Sequence, residues 1–292
     1  TVISDGGGMY NYFSSPSLTD CTFIDNICKN GDGGGMYNYN NSNTTLTDCT
    51  FTGNTASVGG GMHNEYSSPT LTDCTLTGNT AYAGGGMRNY ESSPTLTNCT
   101  FTDNSADYGG GGMHNYYDSN PTLTGCTFEG NSAAWHGGGM YNVDNSSPTL
   151  SDCMFAGNSS SDQGGGMYND DSSSPVLANC TFTNNSASDG GGMLNYSSPT
   201  LENCTFEGNS AEDYGGGMYN SSSSSPTLTG CVFTGNSADD GGGMYNTNES
   251  SPTLENCAFT GNSAGTPGGG MDNPNGSSPT LTDPTLRENS PS

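Results

Sequence analysis

The groups in this sequence that could do chemistry are eleven cysteines, three histidines and a few neighbouring carboxylates. Ten cysteines recur at a nearly constant interval: Cys21, Cys49, Cys74, Cys99, Cys126, Cys153, Cys180, Cys204, Cys231 and Cys257. So many thiols would ordinarily suggest a disulfide framework or a metal cluster. The interval argues against both. Residues stacked in register on neighbouring strands stand about 4.8 Å apart, wider than the roughly 3.8 Å between the β-carbons of a disulfide. No CxxC pair accompanies the series. The spacing predicts a ladder of small buried thiols. Cys28, in the insertion Ile27-Cys28-Lys29-Asn30, stands outside that series and is expected to be the one accessible thiol.

His63 and His114 each follow a Met, where Tyr usually stands, and are expected to be solvated surface residues, as is His136. No HExxH and no Ser–His–Asp set can be assembled. The pairs Asp170-Asp171, Glu212-Asp213 and Asp239-Asp240 are the residue types that cleave glycosides by acid–base chemistry. Similar acids recur in equivalent turns, at Asp107, Asp162 and Asp189, and the cations Lys29, Arg88 and Arg287 are scattered. An active site should break the repeat locally, and no coil is read as doing so. Catalysis and a cofactor are therefore not expected. Asp20, Asp48 and Asp73 precede Cys in three successive repeats. Two charges about 4.8 Å apart repel by roughly 3.5 kcal/mol at an effective dielectric of 20 and by under about 1 kcal/mol in water. Either this turn is well solvated, which is the majority reading, or cations such as calcium bind there diffusely.

These residues are positioned by a repeat. Gly-Gly-Gly-Met recurs with its methionines at Met9, Met36, Met62, Met87, Met113, Met140, Met167, Met193, Met218, Met244 and Met271, at gaps of 25 to 27 residues. Each repeat holds three short strand-like pieces: Gly-Met-Tyr-Asn, Thr-Leu-Thr after a proline, and Cys-Thr-Phe. All alternate apolar and polar residues, and Ser-Ser-Pro, Asp/Asn and Gly-Asn-Ser turns separate them. Eleven coils of about 26 residues with three strands each make an all-β, single-stranded parallel β-helix, continuous over residues 1–292. Four inward ladders follow: Met, Cys, Leu (Leu18 to Leu281), and Phe (Phe23 to Leu286, with leucine also at Leu76). Each large side chain contributes roughly 1.5–3 kcal/mol of burial, which lets a chain only 29% hydrophobic fold. Two asparagine ladders, from Asn11 to Asn273 and from Asn26 to Asn289, are read as structural amide stacks. Outward tyrosines after Met, at Tyr10, Tyr37, Tyr141, Tyr168, Tyr219 and Tyr245, form a candidate contact surface for sugars or partner chains.

Twenty-nine acids against three Lys and Arg give a net charge of −26. Nothing here neutralises phosphates, so neither nucleic acid nor an anionic membrane is an expected partner. No run of 18 apolar residues crosses a bilayer.

The pairing of Phe101-Thr-Asp-Asn104 with the Gly-Gly-Gly-Gly-Met113 that follows resembles the repeat of the chlamydial polymorphic outer-membrane proteins, which couples FxxN to GGA plus an aliphatic residue. The resemblance spans the chain, although Gly-Gly-Gly-Met replaces Gly-Gly-Ala-Ile. It implies a right-handed β-helix, a secreted or surface location and an adhesive role.

The function expected is that of an extracellular or cell-surface structural protein: a filament, sheath or adhesive fibre. The alternative is a polysaccharide-binding adhesin or polysaccharide-degrading enzyme. Thr1 without a preceding Met suggests a processed or excised product. Joining Leu286-Arg-Glu-Asn289-Ser-Pro-Ser292 to Thr1-Val-Ile-Ser-Asp-Gly restores the order of the repeat, so head-to-tail self-association is expected.

Overall fold

The computed structural model describes residues 5–291. The chain winds through eleven coils, and strands at the same place in successive coils pair in register into sheets of eleven strands. All pairings are parallel and like residues meet: Met36 with Met62, Leu46 with Leu71, Phe51 with Leu76. There are four such sheets, not three. The third coil shows the set: Met62–Glu65, Thr70–Thr72, Thr75–Thr77 and Thr80–Ala83. The fourth strand covers the Asn-Ser-Ala segment that the sequence reading assigned to a turn. It is as short as Ser132–Ala133 in places, too short for alternation to register, and a single inward Ala is its only apolar mark.

Met, Leu, Phe and Cys fill one continuous core, with Met36, Leu46, Phe51 and Cys49 wholly buried. The Phe rings stack face to face, at 4.7 Å and 3° for Phe128 on Phe155. No disulfide joins the ladder cysteines, which are buried thiols except for half-buried Cys21. Burial raises the Cys49 thiol above its ordinary pKa. Cys28 is not the accessible thiol expected of it. Its strand, Ile27–Asp32, pairs with the next coil so that Cys28 lies opposite Ala56, in the inward Ala position, and it is only 3% exposed. The insertion bulges the strand between Cys28 and Asp32 rather than lifting Cys28 out of the wall.

The turns explain residue choices that looked electrostatic. Asp20, Asp48 and Asp73 all sit at φ 53°, and Asn98 at 52° and Gly125 at 63° occupy the same corner. This is the left-handed region, where Asp, Asn and Gly are favoured. The three aspartates are exposed there, and Asn98 donates to Asp73 at 3.1 Å. The first glycine of each Gly-Gly-Gly also has positive φ, as Gly137 does at 59°. The third is held by crowding: a β-carbon on Gly139 would stand 2.5 Å from the Gly166 carbonyl oxygen.

The second asparagine ladder closes its own hydrogen-bond accounts. Asn131 accepts from the backbone N–H and the Nδ2 of Asn104 at 3.1 and 2.9 Å. It donates to Asn158 Oδ1 and to the Phe101 carbonyl, both at 2.9 Å. Every lone pair and proton of the amide is used in a site with no water access. Replacing Asn131 with Ala strands partners in both neighbouring coils, at about 1–3 kcal/mol for each buried group left unpaired. We expect Asn131→Ala to lose at least about 3 kcal/mol in urea unfolding; a loss below about 1 kcal/mol would show that the ladder is ornamental.

Candidate functional site

The outer face of the Met sheet carries three columns of side chains. The middle one follows Met and runs Tyr37, His63, Arg88, His114, Tyr141, Tyr168 over successive coils. On one flank, the residue before each Gly-Gly-Gly runs Asp32, Val58, Ala83, Gly109, His136. On the other, two positions beyond the middle column, stand Tyr39, Glu65, Tyr90, Tyr116 and Val143. The middle column is not solvated, as the sequence reading supposed. Tyr37, Tyr141, Tyr168, Tyr219 and Tyr245 are buried, and only Tyr10, at 47% exposure, fits the outward stripe. His63 and His114 are buried too, at 1% and 4%. The flanking columns lean over the middle one, and its own rings stack along the solenoid, so a side chain outside the core still loses its water. The result is a second apolar cluster outside the barrel of the helix.

Where the first flank shrinks to Val58, Ala83 and Gly109, the cover thins and a groove of about 430 Å³ opens over Arg88 and His114. Tyr82, Tyr108, Tyr116 and Tyr141 wall it, and Asp144, Asp170 and Asp171 edge it. His114 lies flat on Tyr141 at 4.9 Å and 1°, and neither of its ring nitrogens has a hydrogen-bond partner. Burial, then the Arg88 charge, holds its pKa well below the usual histidine range, so it is neutral. The Arg88 guanidinium packs 5.3 Å from the Tyr116 ring centre and 5.6 Å from that of Tyr90, a cation–π arrangement. Its Nη1 stands 3.2 Å from His63 Nε2, while its Nε is buried without a partner. His136, half-buried, lies 5.3 Å from the Tyr141 ring, and burial lowers its pKa.

This groove is a local break in the repeat, which the sequence reading did not find. Its signal was present: three consecutive coils replace Tyr with His63, Arg88 and His114, and Trp135-His136 takes the place of smaller residues. Of the acid pairs, only Asp170-Asp171 reaches the groove; Tyr168 donates to Asp170 at 2.9 Å. Glu212-Asp213 and Asp239-Asp240 lie outside it, as do Asp20, Asp48 and Asp73.

With four sheets of parallel strands wound in one direction and a site on the flank of the winding, the chain can be compared with known families. The model of the right-handed beta helix region matches residues 60–188 and again 154–290, well over half of the chain. The chain belongs to the right-handed β-helix family. No curated protein matches it in sequence. The right-handed β-helix fold is compatible with adhesive, structural and polysaccharide-degrading roles, and the family match does not single out the chlamydial group.

One carboxyl of this β-helix is held against its preference. Asp189, farther along the first flank, has a buried oxygen with no partner. Burial, then Asp213 and Asp162, raises its pKa to about 6. A folded-state pKa above the unfolded one favours the fold at low pH and withdraws that support as pH rises through about 6. Asp189→Asn should therefore raise the melting temperature at pH 8 and leave it nearly unchanged at pH 4; an equal shift at both would rule out ionisation as the cause.

Proposed function

We propose that this β-helix is a non-catalytic structural rod of an extracellular or cell-surface filament, sheath or adhesive fibre, and that its coils stack head-to-tail on those of a second copy. The observation that carries this reading is the polarity of the ladders. Each asparagine points its Nδ2 toward the next coil, as Asn11 does to Asn38 and Asn262 to Asn289, both at 2.9 Å. The last described coil thus offers amide donors at Asn273 and Asn289, and the first offers amide acceptors at Asn11 and Asn26. Apolar surface matches as well. Leu286 is 57% exposed beside half-buried Met271 and Leu281, around a hollow of about 460 Å³, and half-buried Met9 and Leu18 stand on the opposite face. Open strand edges seek partners, and a translation with twist that joins these faces does not close on itself. The eleven described coils at about 4.8 Å each span about 53 Å. Negative-stain images of the concentrated 292-residue chain should show fibres many times longer than that span. Single short particles at every concentration would refute stacking, and mass measurement distinguishes copies from one longer solenoid.

A second reading, contact with surface glycans, is favoured by the tyrosine-walled groove over Arg88 and His114. Aromatic walls at Tyr82, Tyr108 and Tyr116 with carboxylates at the rim suit the faces and hydroxyls of a sugar. The groove balances Arg88 against Asp144, Asp170 and Asp171, so a neutral saccharide fits better than an acidic one. On a glycan array, neutral hexose polymers should be retained and uronate polymers not, with retention lost in Tyr82→Ala, whose ring is an exposed wall of the groove; retention unchanged by that substitution would remove the groove from the reading.

A further inference from the structure

One coil further toward the N-terminus, three residues meet that the groove does not use. His63 stands in the middle column where Tyr37 stands one coil before, and Glu65 stands where Tyr39 does. Asp32 closes the lengthened strand Ile27–Asp32. One donor atom from each of the three lies within 4.8 Å of the other two. We propose that Asp32, His63 and Glu65 form a site for one divalent transition-metal ion of the zinc class, a proposal independent of the rod and glycan readings.

Four observations carry it. His63 is buried, and its Nδ1 has no hydrogen-bond partner although it points at Asp32. The Nδ1 to Asp32 Oδ2 distance is 3.4 Å. That is long for a hydrogen bond, but it is about the edge of a tetrahedron around a metal bonded at about 2.0–2.1 Å. Tyr37 donates its hydroxyl to Glu65 Oε2, the kind of outer contact that orients a ligating carboxylate. Finally, Asp32 and Glu65 are only half-buried, which leaves a fourth position for water. Imidazole nitrogen and carboxylate oxygen are both zinc ligands, whereas calcium seeks six to eight oxygens.

Arg88 gives the site a built-in competitor. Its Nη1 is a donor 3.2 Å from His63 Nε2, and guanidinium carries no acceptor. Nε2 therefore accepts, and the ring proton sits on Nδ1, facing Asp32. A metal needs the Nδ1 lone pair, so the proton must move to Nε2, where it would confront the Arg88 donor. Metal binding and the Arg88–His63 hydrogen bond exclude one another. In the metal-bound form, Arg88 lets go of His63 and keeps its place against the Tyr90 and Tyr116 rings.

The test titrates the full chain with Co²⁺ and then Zn²⁺ in a calcium background that saturates its exposed acids. Co²⁺ should bind one per chain with the intense visible absorption of tetrahedral coordination, and Zn²⁺ should bleach it. His63→Tyr, which restores the residue of the repeat, should abolish the signal while circular dichroism and melting stay native-like. Arg88→Gln, whose amide oxygen can accept from Nε2–H, should tighten Zn²⁺ binding by about tenfold, at the low end of what outer contacts contribute to metal affinity. Absence of a stoichiometric Co²⁺ signal, a signal that survives in His63→Tyr, or affinity in Arg88→Gln no tighter than in the parent would each overturn the proposal.

Discussion

A single coil of this chain cannot satisfy its own backbone. Its strands are two to six residues long and pair with nothing of their own coil. The strand N–H and C=O groups must be met by the coil before or the coil after, at the strand spacing of about 4.8 Å. That requirement selects like residues over like residues, because identical shapes stack in register without gaps. Phe rings at 4.6–4.8 Å and nearly parallel are one result. Asparagine amides are another: their length lets Oδ1 and Nδ2 reach one coil, and no further, in each direction. The glycines belong to the same constraint. At Gly139 the chain passes so close to the Gly166 carbonyl that only hydrogen fits.

What the sequence made legible follows from this. The Met, Leu, Phe and Cys ladders were readable because periodicity along the chain translates directly into stacking. Eleven coils and the buried thiols followed. Three things were not readable, each for a physical reason. The fourth strand shrinks in several coils to two residues with one inward Ala, as at Ser132–Ala133, so its alternation, visible at Thr80–Ala83, does not recur along the chain. Cys28 looked like an insertion outside the ladder, but the strand absorbs the extra residues as a bulge and returns Cys28 to the Ala wall. The burial of Tyr37, Tyr141, His63 and His114 depends on columns that lie beside one another in space. Spacing reports which residues share a column, yet it does not report how far a neighbouring column leans across.

The same distinction separates scaffold from site. A substitution in the Met column would disturb both neighbouring coils, because its side chain is fully buried among Leu and Phe. A substitution in the column that follows Met changes no backbone hydrogen bond and no core contact. His63, Arg88 and His114 keep the register of the tyrosines they replace. The solenoid can therefore vary three successive outer positions while its core stays periodic. Because the first flank narrows to Ala83 and Gly109 over the same stretch, a groove opens over Arg88 and His114, with Arg88 half-buried and the two histidines buried.

Charge sharpens that separation. With 29 acids and three Lys and Arg, the long outer face is a field of like charge, and at Arg287 the cation is spent on exposed Glu288. Arg88 is different: it is mostly buried, stacked on two tyrosines and set against a histidine. Burying a guanidinium costs several kcal/mol unless nearby groups offset it. Here Asp32 and Glu65 favour its charge against the desolvation that opposes it. A rod whose stability comes from its ladders has no structural need for such an arrangement, since Tyr10, Tyr37, Tyr141 and Tyr168 fill the same column without any cation. A buried cation stacked on Tyr90 and Tyr116 and set against His63 is therefore not accounted for by the ladders that hold the fold.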